Sequence, residues 1–382
     1  PGQAPGKYQV TLFINNNKID SRDVTFILKK QRDGQGALQP CFSLADLKSL
    51  GIKTDTLTRQ QSEGQCVDLS NIPAASATFK VSNQQLLLSI PQTFLGQVPR
   101  GYIDPKAFDE GITAGLLNYS ATASQSHARQ AGYQDNSSQY VNLRPGFNIG
   151  AWRVRNYSTW NRSTNGDEEQ QKFSSVYTYA QRNINALQGV MTLGDSSTDA
   201  DIFEGIPFRG AMLASDDDML PESLRGFAPT IRGIARSSAQ VTVRQQGTVI
   251  YQTYVAPGAF AITDLYPASS SGDLMVTMTE SNGESHTFSQ PFSAVPVMQR
   301  EGRLKYAFSA GKYRSFRSGA RKPYLGQGTA IYGLSNGVTL YGGSQISDHY
   351  HALNLGTGAI VGDLGSASLD ATWARSQLGT YT

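Results

Sequence analysis

The stretch AIYGLSNGVTL, residues 330–340, sets the reading of the chain. Ala330, Tyr332 and Leu334 share one face, Ser335, Asn336 and Gly337 supply a turn, and Val338 and Leu340 resume the alternation. A period of two on both sides of an Asn-Gly pair predicts a β-hairpin, since successive strand side chains point to opposite faces and Asn-Gly suits a tight turn. Upstream of it, Leu304, Tyr306, Phe308 and Ala310 face one way and Lys305, Ser309 and Gly311 the other. Further on, Ala367, Leu369, Ala371 and Trp373 alternate with Ser366, Ser368, Asp370 and Thr372. Apolar on one side and polar on the other is the pattern of strands with lipid outside and water inside.

Composition agrees with that reading. Charged residues are 16% of the 382, against roughly a quarter in ordinary soluble domains. The 33 basic and 30 acidic residues are scattered to a net charge of +3, which leaves no electrostatic footprint for nucleic acid. Mean hydropathy is −0.35, and no apolar run approaches the roughly 20 residues of a membrane-spanning helix. A membrane protein of this composition has to be a barrel, whose closed strands satisfy every backbone group in lipid.

The barrel-like style first appears over residues 115–229, in Tyr-, Trp-, Gly- and Asn-rich segments such as 173–184, where Tyr177 and Tyr179 share a face. Read as one strand, residues 147–157 put Ile149 and Val154 on opposite faces unless a bulge intervenes. Residues 230–298 differ, with shorter strands and denser turn signals. Val241 and Val243, Val249 and Tyr251, Phe260 and Ile262, and Leu274, Val276 and Met278 are split by Gln246-Gly247 and Asn282-Gly283, ahead of Phe288 and Phe292. About six short strands predict an Ig-like sandwich.

The start of the chain is neither. Tyr8, Val10, Leu12 and Ile14, a turn at residues 15–17, then Val24, Phe26 and Leu28 predict a hairpin. Ser43 and Asp46 form a capping-box pattern, with Leu44, Leu47 and Leu50 on one helical face and Gly51 placed to end the helix. Cys41 and Cys66 are the only cysteines. In an exported chain such a pair is most simply a disulfide, the alternative being two buried thiols. Closing that loop is worth roughly 3.5 kcal/mol on the chain-entropy account.

The predicted fold is therefore mainly β. A small mixed N-terminal domain (1–100) and a linker (101–114) precede the first part of a transmembrane antiparallel β-barrel (115–229). An inserted β-sandwich (230–298) follows, and then a continuing, incomplete barrel (299–382).

Catalytic chemistry is sparse. His127, His286, His349 and His351 show no evident nucleophile or carboxylate partner. His349 and His351 flank Tyr350 and read as a solvated loop rather than a metal pair. Asp216, Asp217 and Asp218 lack the alternate ligands and distal glutamate of a calcium loop. No glycine-rich loop with a following lysine cradles a phosphate. The expectation is a protein that is not an enzyme and carries no cofactor.

Several runs bear a resemblance. Gly101, Tyr102 and Ile103, then Phe108 to Ile112 (FDEGI), then Gly115 to Tyr119 (GLLNY), resemble the junction between periplasmic domain and barrel in the fimbrial outer membrane ushers, as does NIGAWR at 148–153. LASDDDMLPESLRGFAP at 213–229, with Asp216, Asp217, Asp218, Pro221, Arg225 and Gly226, is similar to the family's run leading into the plug. Gln299, Arg300, Glu301 and Gly302 resemble the run leading out. The matches keep their order from Tyr8 onward.

The resemblance implies an outer membrane location with the N-terminal domain in the periplasm, and a pore plugged by the sandwich. Its implied partners are a periplasmic pilus chaperone, fimbrial subunits and outer membrane lipid. Pro1, without Met or a signal sequence, and Thr382, inside strand-like sequence, read as cut ends. The resemblance implies a chaperone-gripping tail before Pro1, and the ten or eleven barrel strands counted along the chain are too few to close the family's pore. Two rivals stand beside it. A plugged uptake receptor carries its plug N-terminally rather than between barrel strands. A secreted multi-domain β-sandwich adhesin is separated by detergent-dependent solubility.

Overall fold

The computed structural model describes residues 3–30, 36–55, 57, 66–96, 99–315, 317–377 and 379–381. Pro1 and Thr382, read above as cut ends, lie outside them. The chain divides into two compact units, one comprising residues 1–101, 222–294 and 360–366, the other 102–221, 295–359 and 367–382.

In the first unit, β1 (Gly6–Ile14), β2 (Asn17–Lys30), β3 (Gly36–Cys41), β4 (Ser76–Lys80) and β5 (Gln85–Ser89) form one sheet in the order β3-β2-β1-β5-β4. Helix α1 (Leu44–Ser49) starts at a full capping box: the Asp46 N–H donates to Ser43 Oγ at 3.1 Å, and the Ser43 N–H donates to Asp46 Oδ2 at 3.0 Å. Gly51 beyond it has φ +80°, a conformation that only glycine adopts without strain. Val10, Leu12, Ile14, Val24, Phe26, Leu47, Leu86, Leu88 and Ile90 build the core, and Tyr8, Phe26 and Phe79 form an aromatic cluster within it. Leu28, which the alternation aligns with Val24 and Phe26, is exposed whereas they are buried. The β1–β2 pairing ends at Gly6 opposite Phe26, so no β1 residue covers Leu28. Cys41 and Cys66 are disulfide-bonded, their Cα atoms 4.8 Å apart.

The barrel wall starts in the second unit with β6 (Ala114–Ser126), β7 (Asn136–Ile149), β8 (Trp152–Asn165), β9 (Glu168–Ile184), β10 (Gly189–Ser197) and β11 (Pro207–Ser215). Ile149 and Val154 belong to two strands, not one. Residues 150 and 151 turn the chain, with Gly150 at φ +56°, so Ile149 pairs with Trp152 and Phe147 with Val154.

Residues of the first unit then interrupt the wall with β12 (Ile231–Ala235), β13 (Ala239–Gln245), β14 (Thr248–Val255), β15 (Gly258–Ile262), β16 (Leu274–Glu280) and β17 (Ser285–Gln290). They make a β12–β15 pair and a four-stranded sheet in the order β14-β13-β16-β17. Ile231, Val241, Val243, Phe260, Ile262, Leu265, Leu274 and Val276 are buried in this sandwich, and Phe227 stacks on Phe292. Buried Gln245 replaces missing ladder partners. Its Oε1 accepts from the N–H groups of Ala268 and Ser269 at 2.8 and 3.1 Å, and its Nε2 donates to the carbonyls of Ser269 and Gly272 at 3.1 and 3.2 Å.

The sandwich also touches the N-terminal sheet domain. The Gln92 amide exchanges both hydrogen bonds with the Ala261 backbone on β15. The Arg100 guanidinium lies 4.4 Å from the Tyr251 ring and donates to the Asp264 carbonyl at 3.0 Å. Burial and then the Asp264 charge push the Tyr251 hydroxyl well above its ordinary range.

The wall resumes with β18 (Leu304–Tyr313), β19 (Tyr324–Gly333), β20 (Val338–Ser347), β21 (Tyr350–Ile360), β22 (Ser366–Ser376) and β23 (Gly379–Tyr381). β18 pairs with β11, making a twelve-stranded antiparallel sheet from β6 to β23. Twelve strands exceed the ten or eleven expected, because residues 147–157 contribute to two of them.

Candidate functional site

Register sorts the wall into two faces. On one, Phe308, Gly328, Ser344 and Leu353 lie in a cross-strand row, and Leu304, Tyr332, Leu340 and Thr357 in another. Phe308, Tyr332, Leu340, Leu353 and Leu355 are all exposed. On the other face, Ser309, Gln327, Gln345 and Ala352 form a row whose members are buried, and Gln345 Nε2 donates to Gln327 Oε1 at 2.9 Å. A wall with large apolar side chains out and amides in suits a lipid exterior and a wet interior. The 330–340 hairpin closes as read: Asn336 and Gly337 have φ +62° and +70°, and Ile331 and Thr339, opposite in sense to Tyr332 and Leu340, are buried.

The residues between β10 and β11 fold back along the polar face. The Asp199 carbonyl accepts from Gln327 Nε2 at 3.0 Å. Lys305 Nζ lies 2.7 Å from Asp201, near the opposite end of β18 from the β10–β11 connection.

A second polar group pins the wall. Asp195, fully buried, takes a bidentate pair from Arg209 at 2.6 and 2.9 Å, and its Oδ2 accepts the Thr178 N–H at 2.9 Å. Arg314 lies 3.5 Å from the same carboxylate and donates to the carbonyls of Val176 and Ser175 at 2.5 and 3.1 Å. These carbonyls flank a β-bulge, where Tyr157 pairs with Tyr177 but Ser158 pairs with Ser175. Arg314 thus donates to backbone acceptors where the register skips Val176.

The point at which the sandwich leaves and rejoins the wall is built by the two marked runs. Asp216 caps a short 3-10 turn, accepting the Asp218 N–H at 3.0 Å. Asp217 Oδ1 accepts from Arg303 Nη2 at 2.9 Å, which ties the outgoing run to the returning one. Gln299 and Arg300 are buried, and the Gln299 N–H donates to Thr339 Oγ1 at 3.1 Å. Glu301 bridges to Gly333, and the Gly302 N–H donates to the Gly333 carbonyl at 2.9 Å. A Cβ on Gly333 would stand 2.0 Å from the Arg300 carbonyl, so no other residue fits there. Asp216, Asp217, Asp218, Pro221 and Gln299–Gly302 fall in the barrel unit, while Arg225 and Gly226 fall in the other. Arg303, Gly333 and Thr339 were not singled out by sequence, although Arg303 directly follows the marked run.

One expectation about the histidines fails. His127 Nδ1 lies 3.2 Å from Asp135 Oδ2, because the β6–β7 connection folds two residues eight apart onto each other. Both are exposed, and the pair caps a loop beside the Ala128 N–H. His349 falls in the turn before β21, and His351 within that strand. Among the described residues no cluster of three histidine, cysteine or acidic side chains could hold a metal ion, and no helix is long and apolar enough to cross a membrane.

The family described as outer membrane usher protein matches residues 140–382, and the PapC N-terminal domain family matches residues 1–123. The outer membrane usher protein YraJ of Escherichia coli K12 is 45% identical over 380 residues, which is 98% of this chain and 44% of YraJ. FimD of Salmonella typhimurium, also an outer membrane usher protein, is 44% identical over 381 residues, covering 98% and 43%. The chain thus spans less than half the length of these curated relatives. A chain of the cryo-EM structure of the E. coli P pilus tip assembly intermediate PapC-PapD-PapK-PapG, in its second conformation, aligns at 29% identity and a TM-score of 0.54. The alignment covers 99% of this chain and 48% of that one.

Proposed function

This chain belongs to the outer membrane usher family, and on that premise we propose that the protein containing it recruits chaperone–subunit complexes, promotes donor-strand exchange and exports the growing fimbria. The partners are then a periplasmic pilus chaperone, fimbrial subunits and outer membrane lipid. The observation that carries this reading is the twelve-stranded wall interrupted between β11 and β18 by a six-stranded sandwich, in a chain matched by the usher family along most of its length. The chemistry is strand addition, of which chaperone–pilin donor-strand complementation is a known instance. No covalent step is needed, so the protein is not an enzyme. Restoring surface fimbriae to an usher-deficient strain with the full-length protein tests the proposal; a strain left bald by a correctly inserted protein overturns it.

Residues 230–298 are then the plug that gates the pore, with Asp216–Asp218, Pro221, Arg225 and Gly226 leading in and Gln299–Gly302 leading out. A gate must leave its seat, so polar attachments serve better than a dry apolar interface. Those the sandwich makes to the N-terminal domain through Gln92 and Arg100 are of that kind. An arriving partner that binds only the open arrangement shifts the population toward it. In a planar bilayer, the full-length usher with 230–298 replaced by a short glycine linker should conduct well above the intact protein. Equal, poor conductance from both would refute the gate.

A further inference from the structure

We propose that the outer rim of the wall at the β18–β19 connection binds the phosphorylated headgroup of an outer-leaflet glycolipid, a site that rests on the outer membrane reading above. Between Glu301 and Asp348 the chain has no acidic residue and seven basic ones: Arg303, Lys305, Lys312, Arg314, Arg317, Arg321 and Lys322. Three of these have carboxylate partners already described, Arg303 with Asp217, Lys305 with Asp201 and Arg314 with Asp195. The other four, Lys312, Arg317, Arg321 and Lys322, are exposed, make no ion pair among the described residues, and fall within one short stretch of chain.

Their position selects the ligand. Alternation along β18 puts Lys312 on the same face as Tyr306 and Phe308, the apolar exterior. Across β19 it meets Tyr324, with Nζ 5.8 Å from the ring centroid, and Tyr324 is two-thirds exposed, as a ring at a membrane–water boundary should be. Across β11 it meets Arg209, whose side chain is 62% exposed while held by Asp195. Asp195 already offsets Arg209, so the charge left without a carboxylate at this rim is that of Lys312 and the three loop cations, a cluster that draws an anion. The strand order gives the side: β6 rises from the periplasmic domain, and strict antiparallel alternation through β11 and β18 brings the β18–β19 connection to the extracellular end. The anion abundant at that level of a bacterial outer membrane is phosphate on an acylated sugar, and Lys and Arg pair with phosphate by charge-assisted hydrogen bonds.

The test uses the full-length usher, folded in detergent as judged by its heat-sensitive gel mobility, and labelled lipid A with its phosphates intact or enzymatically removed. Wild type should bind the phosphorylated form saturably, with affinity falling as salt rises, and bind the dephosphorylated form weakly. K312Q/R317Q/R321Q/K322Q should bind the phosphorylated form at least about tenfold more weakly, and K312R/K322R should match wild type. Inorganic phosphate should compete poorly. Equal binding of the two lipids by wild type, or undiminished binding by the neutralised variant, overturns the site, and the first comparison decides even if that variant fails to fold. Lipid binding is read without fimbria export, so this site and the usher reading fail separately.

Discussion

Asp68 shows what a single side chain contributes in the N-terminal domain. It accepts the Ser70 N–H and hydroxyl at 3.0 and 2.7 Å and pairs with Lys29. The Lys29 ammonium, foremost, holds its carboxyl down at about 2. A carboxyl lowered on folding stabilises fully above its unfolded value and loses that contribution as pH falls through its folded value. The side chain is about a third exposed, so after solvent screening roughly 1 kcal/mol is at stake. Urea denaturation of residues 1–101 should show stability declining by that amount from about pH 4 to about pH 2, and D68N should flatten that part of the profile. At this scale, what the sequence discloses is what is local. Ser43 and Asp46 stand three apart and announce their cap, whereas Asp195 and Arg314 stand 119 apart and meet only because β11 pairs with β18. The exposure of Leu28 was hidden for a related reason, since alternation cannot say where a neighbouring strand stops.

Among the elements, the barrel strands were legible wherever alternation and turn chemistry agreed, as at Asn336-Gly337. They were illegible at bulges and two-residue turns, where the period slips without a compositional mark. The bulge in β9 is the clearest case. Its stability depends on Arg314 capping two carbonyls while Asp195 holds both guanidiniums. Replacing Asp195 by alanine leaves the largely buried Arg314 without its carboxylate, while Arg209, 62% exposed, turns to solvent, so the cost falls below the about 3–5 kcal/mol of breaking a fully buried pair. D195A in the full-length protein should therefore lower the temperature at which the folded band is lost on gel electrophoresis, and R314K, which cannot fork across two carbonyls and a carboxylate, should lower it less. Equal melting of D195A and wild type would show that the bulge holds without the cluster.

For the whole molecule, the order of sheet, wall strands, inserted strands and wall strands was legible because each stretch carries its own periodicity, but not the grouping of residues 222–294 with 1–101 in one compact unit. Nothing in a linear pattern says which surfaces of separate elements will meet. The pairing of β11 with β18 has a consequence in time as well as space. Ser215 and Tyr306, which exchange hydrogen bonds through the serine hydroxyl, are 91 residues apart, so joining them from an unfolded chain means closing a long loop. If the sandwich folds first, its two ends already stand near each other, and a loop effectively tenfold shorter lowers the closure penalty by roughly 2 kcal/mol. Q245A removes the side chain that holds the 268–272 backbone and should destabilise the sandwich by about 2–4 kcal/mol. In a pulse-chase, that variant should reach the folded, heat-resistant barrel several-fold more slowly, and an unchanged rate would show that the wall zips up independently. The inserted sandwich is then a chaperone built into the chain, a rate device for assembling the wall before any partner arrives.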